Sequence, residues 1–388
     1  MTLKQLLVDM LKKKSSDLHL RVGVRPHLRI NGVLHAVDCE PISIEEMDSY
    51  VNQMLNETQM ERFRKKNELD LALSVVKLGR FRINLYRQRG SVGIAVRAVN
   101  EQIPTIEDLN LPEVVKTISE KRRGLVVVTG VTGSGKSTTL ASMIEYMNST
   151  RSENIVTIED PIEYVYRDKK SIISQREVGG DTESFSAALR HAFRQDPDII
   201  LIGEIRDLET MSIALTAADT GHLVLTTLHT LNAVETISRM VNFFPPHQHS
   251  QIRLLLAGTL QAIISQRLLT RNDHPGRFPA CEVLIASRAI RECVMDERKT
   301  GDIIELIESG GTAYGMQSFD QAIMKAYRSG IISYEEALKN ATNSDDFDLR
   351  VKGITGASDN WDGESRDVNT ADTAETPIST DVPGMRKF

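Results

Sequence analysis

The segment from residue 130 to residue 138 constrains the fold of this chain more than any other. It reads Gly-Val-Thr-Gly-Ser-Gly-Lys-Ser-Thr, an unbroken match to G-x-x-x-x-G-K-[ST]. The apolar run 125–128 precedes it, and the helix-forming stretch 137–148 follows it. A strand, a glycine loop and a helix in this order are the context in which the motif binds phosphate. The segment therefore predicts a phosphate-binding loop and a chain that binds a nucleoside triphosphate.

The residue types in the loop suit the parts of a nucleotide. Its glycines let the backbone curl so that N–H groups point at phosphate oxygens, and the following helix N-terminus adds partial positive charge. Lys136 is expected to reach the β- and γ-phosphates of ATP, and the Ser137 hydroxyl to ligate Mg²⁺. The candidate nucleotide-binding residues of the loop are Gly130, Thr132, Gly133, Ser134, Gly135, Lys136, Ser137 and Thr138.

The composition is that of a globular protein. Hydrophobic residues make up 40% and charged residues 26% of the 388, as in soluble domains. No apolar run approaches the roughly 20 residues that span a bilayer, and residues 1–11 lack a signal-peptide core. We therefore expect a cytoplasmic chain without a transmembrane segment. The net charge of −6 does not favour nucleic acid, and three scattered cysteines favour neither disulfides nor a zinc module.

The hydrophobic pattern divides the chain into a small and a large folded part. Residues 1–100 are predicted to form a compact α/β module, and residues 101–112, which contain two prolines, a linker. In residues 113–288 strands and helices alternate, which predicts a mostly parallel sheet covered by helices. Residues 289–350 are predicted to be helical. Residues 351–388, rich in Ser, Thr, Asp and Gly, are predicted to be a disordered tail.

Individual elements follow from the same pattern. In the small part, Asn31-Gly32 predicts the turn of a β-hairpin. The strands predicted for the large sheet are 125–129, 155–159, 198–202 and 222–227, and its predicted helices are 137–148, 182–194 and 208–219.

Acidic residues follow two of the predicted core strands. Glu204 comes just after strand 198–202, at the edge of an open α/β sheet where ligands bind, so it is a candidate for the Mg²⁺ shell. Segment 157–163 closes another strand with three carboxylates, of which Glu163 is the candidate to activate water. An acidic loop after a strand and a solvated acidic turn remain the structural alternatives for these two segments.

Two histidines, His222 and His229, bracket an apolar segment, so each is predicted to lie near one end of a strand. A histidine at such a position can sense the γ-phosphate or transmit its loss to neighbouring elements. The alternative is structural, because two histidines that flank a strand more often serve the fold. Their spacing and the lack of cysteine partners do not favour a metal site.

Arginines of the small part are candidates to contact the nucleotide. Arg80 and Arg82 lie two apart on one predicted strand and therefore share a face, and Arg97 lies on the next strand. Such a face is usually a solvated surface. A hydrolase without an arginine near its own phosphate loop, however, often takes one from another domain or subunit. Arg194 and Arg206, which flank the strand before Glu204, are further candidates.

Taken together, these segments resemble those of the secretion ATPases of type II secretion and type IV pili, and most closely the type IV pilus retraction ATPases (PilT/PilU-like). The matching segments are 16–20, 79–84, the phosphate loop, 157–163, 175–178, 196–207, 220–229 and 315–320. The resemblance implies a PAS-like N-terminal domain followed by a RecA-like parallel-sheet ATPase core with C-terminal helices. It also implies a homohexameric ring that holds ATP and Mg²⁺ between the two domains of a protomer.

The resemblance also implies roles for the site residues. The family's catalytic acid corresponds to Glu163, its Walker B glutamate to Glu204, and its histidine-box residues to His222 and His229. The arginines that reach the nucleotide correspond to Arg80, Arg82 and Arg97, with Arg82 and Arg97 assigned to catalysis and Arg80 to nucleotide binding. The motor would sit at the inner face of the bacterial inner membrane, with an inner-membrane pilus platform protein and a paralogous pilus ATPase as its partners.

The resemblance favours retraction over the pushing motors of the same superfamily. Extension and secretion ATPases usually carry an additional N-terminal domain and a four-cysteine zinc motif, and this sequence has neither. One segment departs from the retraction pattern. Residues 289–296 read Ala-Ile-Arg-Glu-Cys-Val-Met-Asp, whereas retraction ATPases typically have Ala-Ile-Arg-Asn-Leu-Ile-Arg-Glu.

That departure leaves other functions open beside pilus retraction and twitching motility. Within the superfamily they are an accessory, PilU-like paralogue and a pilus-assembly or type II secretion ATPase. Outside it they are a nucleic-acid motor, which the acidic charge balance argues against, and a nucleotide-gated regulatory subunit.

Overall fold

The computed structural model describes residues 1–99 and 102–354, which form two β-sheets with helices packed on them. The mixed α/β fold class expected from the sequence is confirmed, with a small module preceding a parallel-sheet core. The start of the predicted linker, at residue 101, and the predicted tail from residue 355 onward lie outside the described residues. Among the residues that are described, no helix is long and apolar enough to cross a membrane.

The amino-terminal module is a six-stranded antiparallel sheet with three helices. Its strands are Asp17–Arg21 (β1), His27–Ile30 (β2), Val33–Ala36 (β3), Glu68–Val75 (β4), Gly79–Gln88 (β5) and Ser91–Ala98 (β6), and its helices are Leu3–Lys12 (α1), Ile44–Met54 (α2) and Glu57–Lys66 (α3). The strand order is β3-β2-β1-β6-β5-β4. Alternate residues of each strand point to opposite faces, so Leu18 and Leu20 share the buried face with Phe81, Ile83 and Leu85. The opposite face carries the polar residues.

Local sequence signals fix the ends of these elements. Thr2, Ser43 and Asn56 each cap a helix by accepting a hydrogen bond from the backbone N–H three residues later. Asn31 and Gly32 have φ values of 49° and 83°, the left-handed values that a two-residue hairpin turn requires. The hairpin predicted from these two residues is therefore confirmed, with β2 and β3 paired on either side of it.

The large domain is built on a seven-stranded sheet. Its strands are Gly124–Thr129 (β7), Asn154–Glu159 (β8), Ile172–Glu177 (β9), Ile199–Ile202 (β10), Leu223–Leu228 (β11), Leu260–Thr270 (β12) and Arg277–Ile285 (β13), in the order β13-β12-β7-β11-β10-β8-β9. All neighbouring pairs are parallel except β12 and β13. Strands β7, β10 and β11 are buried throughout, as expected for parallel strands with helices on both faces.

Helices cover both faces of this sheet. They are Val114–Ser119 (α4), Lys136–Thr150 (α5), Phe185–Ala192 (α6), Leu208–Asp219 (α7), Ala233–Asn242 (α8) and His249–Thr259 (α9). One apolar cluster joins α6 to α9 to one face, and a second joins α4 and α5 to the other. The four core strands predicted from sequence are present within one residue of their expected ends, and α6 is shorter than predicted because a 3₁₀ turn, Phe193–Gln195, replaces its last residues.

The structure also contains three core strands that sequence reasoning missed. Strand β9 lies at the edge of the sheet and is only partly buried, so it lacks the long apolar run by which the other strands were found. Strands β12 and β13 form a hairpin on the opposite edge. The apolar sequence runs from α9 directly into β12, with Thr259 ending one element and Leu260 beginning the other. Gly258 lies next to this boundary, but a single glycine within an apolar run does not distinguish a turn from a glycine tolerated in a helix.

The carboxyl-terminal part is helical, as predicted. Its helices are Arg288–Met295 (α10), Ile303–Ser309 (α11), Gly311–Tyr314 (α12), Phe319–Arg328 (α13), Tyr334–Asn340 (α14) and Ser344–Val351 (α15). The last three pack on the β12–β13 hairpin through Leu269, Ala280 and Phe319. The Arg267 guanidinium lies 3.8 Å from the centre of the Phe319 ring, a cation–π contact. These helices thus pack against the hairpin and stabilise it. The turn of the hairpin reaches the candidate site.

Candidate nucleotide-binding site

The phosphate loop joins the end of β7 to the start of α5, and glycine is required at its first position. Gly130 has a φ of 141°, a value that side chains rarely tolerate. A Cβ atom at this position would lie 2.5 Å from the Gln266 carbonyl oxygen and 2.5 Å from Ser134 Oγ. Gly135, with a φ of 95°, turns the chain into α5. These glycines thus allow the loop to turn tightly from β7 into α5, whose N-terminus can bind an anion.

Lys136 lies over this loop. Its Nζ donates hydrogen bonds to the carbonyl oxygens of Gly130, at 2.8 Å, and Val131, at 3.0 Å. Burial lowers the pKa of the Lys136 ammonium below its usual value, and the negative charge of Glu163 partly opposes this shift. An ammonium held between loop carbonyls and a facing carboxylate is in position to bind the phosphates that such a loop receives.

A cavity of about 850 Å³ opens above the loop, within the size range of small-molecule and cofactor sites. Three walls surround it besides the loop itself. One consists of residues that follow the ends of β8, β10 and β11; another is the turn of the β12–β13 hairpin, and the third is the turn at residues 108–111. Because the carboxyl ends of neighbouring parallel strands meet at one edge of a sheet, the fold brings these distant segments together.

The acidic wall combines a buried and a more accessible carboxylate. Glu159 Oε1, at the end of β8, accepts hydrogen bonds from Thr157 Oγ1 at 2.7 Å and Gln175 Nε2 at 3.1 Å, and burial raises the pKa of Glu159. Glu163 lines the cavity four residues later. Its charge raises the pKa of Lys136, so the two side chains interact electrostatically within the cavity that both line. Glu159 stays protonated more readily than an exposed carboxyl.

Glu204 follows β10 and contacts two basic side chains. It forms a salt bridge with Arg206, and its Oε2 lies 3.3 Å from His229 Nε2. Arg206 also approaches Asp160, with 3.6 Å between NH1 and Oδ2. Burial lowers the pKa of the His229 imidazole, and the nearby charges of Lys136 and Arg206 lower it further. Neutral His229 can therefore accept or relay a hydrogen bond beside Glu204.

The structure brings some of the predicted site residues together and leaves others outside. Residues 132–138 of the loop line the cavity together with Glu163, Glu204 and His229. Gly130 does not line it and lies close to Gln266 and Ser134. His222 lies at the opposite end of β11, where its ring meets Phe193 edge-on at 5.6 Å and its Nδ1 is 3.1 Å from the Ala217 carbonyl oxygen. The two histidines do flank one strand, as predicted, so only one of them reaches the cavity.

The three predicted arginines do not line the cavity of their own chain. Arg80 NH2 donates to Glu177 Oε2 at 3.0 Å, and the same oxygen accepts the Ile162 backbone N–H at 3.1 Å. Arg80 therefore links the amino-terminal sheet to the loop that carries Glu163. Arg97 Nε donates to Asp17 Oδ1 at 2.8 Å within its own module, and Arg82 pairs with Arg97 on the neighbouring strand. To act on a nucleotide, these arginines would have to move toward the cavity or reach the cavity of another copy of the chain.

Sequence reasoning missed the basic residues of the β12–β13 turn. Arg271, His274 and Arg277 line the cavity, and Arg277 NH1 lies 3.5 Å from the Gly133 carbonyl oxygen. Arg271 donates two hydrogen bonds to Asp273, at 2.9 Å and 2.7 Å, which lowers the pKa of Asp273 to about 2. The sequence contains Arg271 and Arg277 on either side of His274-Pro275-Gly276. These residues could not be assigned to the site because the β12–β13 hairpin was not predicted.

The candidate metal ligands fit a hard divalent cation. Ser137 and Glu204 both line the cavity and offer hydroxyl and carboxylate oxygens, the ligands that Mg²⁺ prefers. Among the described residues, no cluster of three or more His, Cys, Asp or Glu side chains forms a metal cage. This agrees with the usual mode of Mg²⁺ binding, in which one or two protein ligands are completed by phosphates and water.

A parallel sheet with this loop after β7 and acids after β8 and β10 defines a P-loop ATPase. Comparison with known proteins identifies the family. Residues 1–339 match the model of the family described as "Type II/IV secretion system protein", and the chain belongs to that family.

Several of the similar proteins are named as pilus ATPases. The type IV pilus ATPase PilU of Pseudomonas aeruginosa is 39% identical, with 100% of each chain covered. The type IV pilus retraction ATPase PilT of the same organism is 42% identical over 89% of this chain and 100% of its own. The crystal structure of the pilus retraction motor PilT with bound ADP has a TM-score of 0.82, at 42% identity over 89% of this chain and 98% of that one. This chain is accordingly a nucleotide-binding ATPase of the pilus type.

The close approach at Gly130 yields a testable expectation. Gly130→Ala would force a Cβ against Gln266 and Ser134, and such backbone strain costs about 1–3 kcal/mol. We expect ADP affinity, measured by calorimetry, to fall by about tenfold or more. Gly221→Ala is the matched control, because Gly221 also has a positive φ, 110°, but has no atom within 4 Å of the added Cβ. Equal affinities of the two variants would contradict the assignment.

Proposed function

We propose that this ATPase forms a homohexameric ring that hydrolyses ATP to retract type IV pili. The observation that carries the proposal is a single cavity lined by both Lys136 of the phosphate loop and Glu163, whose charge acts on the pKa of Lys136. This pair occurs in a chain 42% identical to a retraction ATPase over that relative's whole length. The residues of the site support nucleotide binding and hydrolysis. The name of the relative supports pilus retraction as the process that hydrolysis drives.

Each cavity residue has a distinct role in this mechanism. Lys136 and the loop N–H groups bind the β- and γ-phosphates, while Ser137 and Glu204 hold Mg²⁺. When bound there, the metal neutralises charge on the phosphates and orients them. Glu163, which lines the same cavity as Lys136, would position the attacking water in line with the leaving oxygen of the γ-phosphoryl group, the geometry that phosphoryl transfer requires.

Arginines and histidines couple this chemistry to domain movement. Arg82 and Arg97 approach the transferring phosphoryl when the amino-terminal module closes, and they neutralise its charge. Arg80 is linked through Glu177 to the Ile162 N–H. It therefore moves together with the loop that carries Glu163. His229 responds to the γ-phosphate through Glu204, and His222 acts at the far end of the same strand. Loss of the γ-phosphate releases the closed state.

An accessory, PilU-like role is the second candidate, and helix α10 supports it. Ile290 is fully buried, and Arg291 donates hydrogen bonds to carbonyl oxygens at the end of α9, including Gly258 at 3.1 Å. Ile290 and Arg291, which match the retraction pattern, are therefore used by the fold itself. Glu292 and Met295, which differ from that pattern, are exposed, and the buried Cys293 and Val294 are smaller than the usual Leu and Ile. Both the surface and the packing of α10 thus differ from the retraction pattern.

The proposed partners follow from this function. The ring acts at the inner face of the inner membrane on a pilus platform protein, and a paralogous pilus ATPase joins it if the accessory role holds. A pilus-assembly or type II secretion ATPase remains the third possibility. Deleting the gene tests this possibility, because loss of surface pili would indicate an assembly motor and excess pili a retraction motor.

The catalytic assignment is tested by Glu163→Gln. This change keeps the shape of the side chain and removes its negative charge, so ADP affinity should stay within about threefold while ATP turnover falls by about 100-fold or more, the range of general-base catalysis. Phosphate release and calorimetry measure the two effects. The control is Glu183→Gln, at an exposed glutamate outside the cavity. Normal turnover in Glu163→Gln would remove Glu163 from the mechanism.

The ring is tested by mass measurement of the active species. In the presence of Mg²⁺ and a non-hydrolysed ATP analogue, light scattering should give about six times the mass of one chain. Turnover per chain should rise with protein concentration as rings assemble. Full activity at the mass of a single chain would exclude the ring.

The direction of work is tested by deleting the gene. Hyperpiliated cells that no longer twitch are expected, because pili would be assembled but not withdrawn. Wild-type chain should restore motility and the Glu163→Gln chain should not. Normal motility would indicate the accessory paralogue, and loss of surface pili would indicate an assembly motor.

A further inference from the structure

A second cavity lies on the polar face of the amino-terminal sheet. It has a volume of about 290 Å³ and is bounded by side chains of β1, β2, β3 and β5 together with the turn between β1 and β2. It shares no lining residue with the nucleotide cavity, so it is a separate binding space. None of the roles proposed above uses it.

The lining of this cavity is positively charged. Arg21, Arg25 and Arg29 contribute to it, and no carboxylate does. Among the described residues, the side chains of Arg21 and Arg25 have neither a hydrogen-bond nor an ion-pair partner. Arg29 NH1 donates to the Gly32 carbonyl oxygen at 2.9 Å, and its Nε lies 3.9 Å from Asp17. Arg21 and Arg25 are exposed and Arg29 is half-buried. Repulsion among their guanidinium groups falls when an anion lies between them.

Two histidines add further nitrogen atoms to the same wall. His19 and His27 face each other on the paired strands β1 and β2. His27 Nδ1 lies 2.7 Å from the Arg25 carbonyl oxygen, which orients the ring. His19 Nε2 is buried and has no hydrogen-bond partner among the described residues. A buried ring nitrogen without a partner is costly unless a ligand supplies one.

An aromatic ring forms the apolar side of the cavity. Tyr86 lines it from β5, directly across from Gly93 on β6. The Tyr86 ring lies so close over Gly93 that a Cβ there would be 2.6 Å from the ring carbon Cζ. Gly93 also pairs with Arg21 on β1. The glycine therefore lets the ring lie along the sheet beside the arginines, and Leu34 extends the apolar surface.

We propose that this cavity binds a phosphorylated small molecule. Arg21 and Arg25 bind the phosphoryl oxygens, assisted by Arg29 and His19, because planar guanidinium groups match phosphate in geometry and charge. The organic part of the ligand packs against Tyr86. A carboxylate ligand has two oxygens and one charge, too few for this set of donors, whereas a phosphomonoester offers three oxygens and close to two charges.

The test uses the full chain saturated with Mg²⁺-ADP, so that the nucleotide cavity is filled. Pyrophosphate supplies the anion alone, and AMP supplies a phosphoryl group with a planar ring. Calorimetry is expected to show one additional equivalent of each probe bound by the wild type. Arg21→Glu/Arg25→Glu should weaken both by at least tenfold. Arg62→Glu/Arg64→Glu, the same charge change on exposed positions of α3, should bind as the wild type does.

Two milder variants keep the test valid if charge reversal harms folding. Arg21→Gln/Arg25→Gln removes the charges without adding new ones and should also weaken pyrophosphate binding by at least tenfold. Tyr86→Leu should weaken AMP by about fivefold and leave pyrophosphate unchanged, because only AMP has a ring to stack. Wild-type chain that binds no additional probe, or glutamine variants that bind as tightly as the wild type, would overturn the proposal.

Discussion

The candidate site depends on the register of four parallel strands, which places their carboxyl ends side by side. Ile202 of β10 pairs with Ile158 of β8 and with Thr226 of β11, and Thr226 pairs with Val127 of β7. The strands therefore end together, and whatever follows them in sequence meets at one edge. A slip of one residue would turn every side chain of a strand to the other face of the sheet. The apolar strand sequences, buried on both faces, thus position Glu204 and His229 without any direct contact to the phosphate loop.

The ion pair between Arg80 and Glu177 gives the two folded parts a specific joint. Both side chains are mostly buried, so loss of one partner would leave the other charge poorly solvated. The Glu177 oxygen that binds Arg80 also binds the backbone N–H of Ile162, one residue before Glu163. A displacement of the amino-terminal module therefore bears on the segment that carries the candidate catalytic acid. The Glu177 carboxylate therefore contacts both the amino-terminal module and the segment that positions Glu163.

Sequence reasoning succeeded where the signal was local and failed where it was tertiary. The phosphate loop is recognised from nine consecutive residues, and Glu204 from its place after an apolar strand. The partner of Arg80 lies 97 residues away on an edge strand with no apolar run, so no local pattern could identify it. Arg277 was missed because the apolar run across α9 and β12 conceals a change from helix to strand. Helix and strand cannot be told apart within such a run by periodicity alone.

Asp17 connects the proposed anion cavity with the arginine assigned to catalysis. Burial alone would raise its pKa, but hydrogen bonds from Ser16 and Arg97 and nearby positive charge hold the pKa of Asp17 below its usual value, so the carboxylate stays ionised. It binds Arg97 at 2.8 Å and Arg29 more weakly at 3.9 Å. A phosphoryl group bound to Arg29 would compete for that guanidinium and leave Asp17 to Arg97 alone. In the proposed mechanism Arg97 leaves Asp17 to reach the nucleotide, so a ligand in the second cavity would favour the state in which Arg97 stays bound to Asp17.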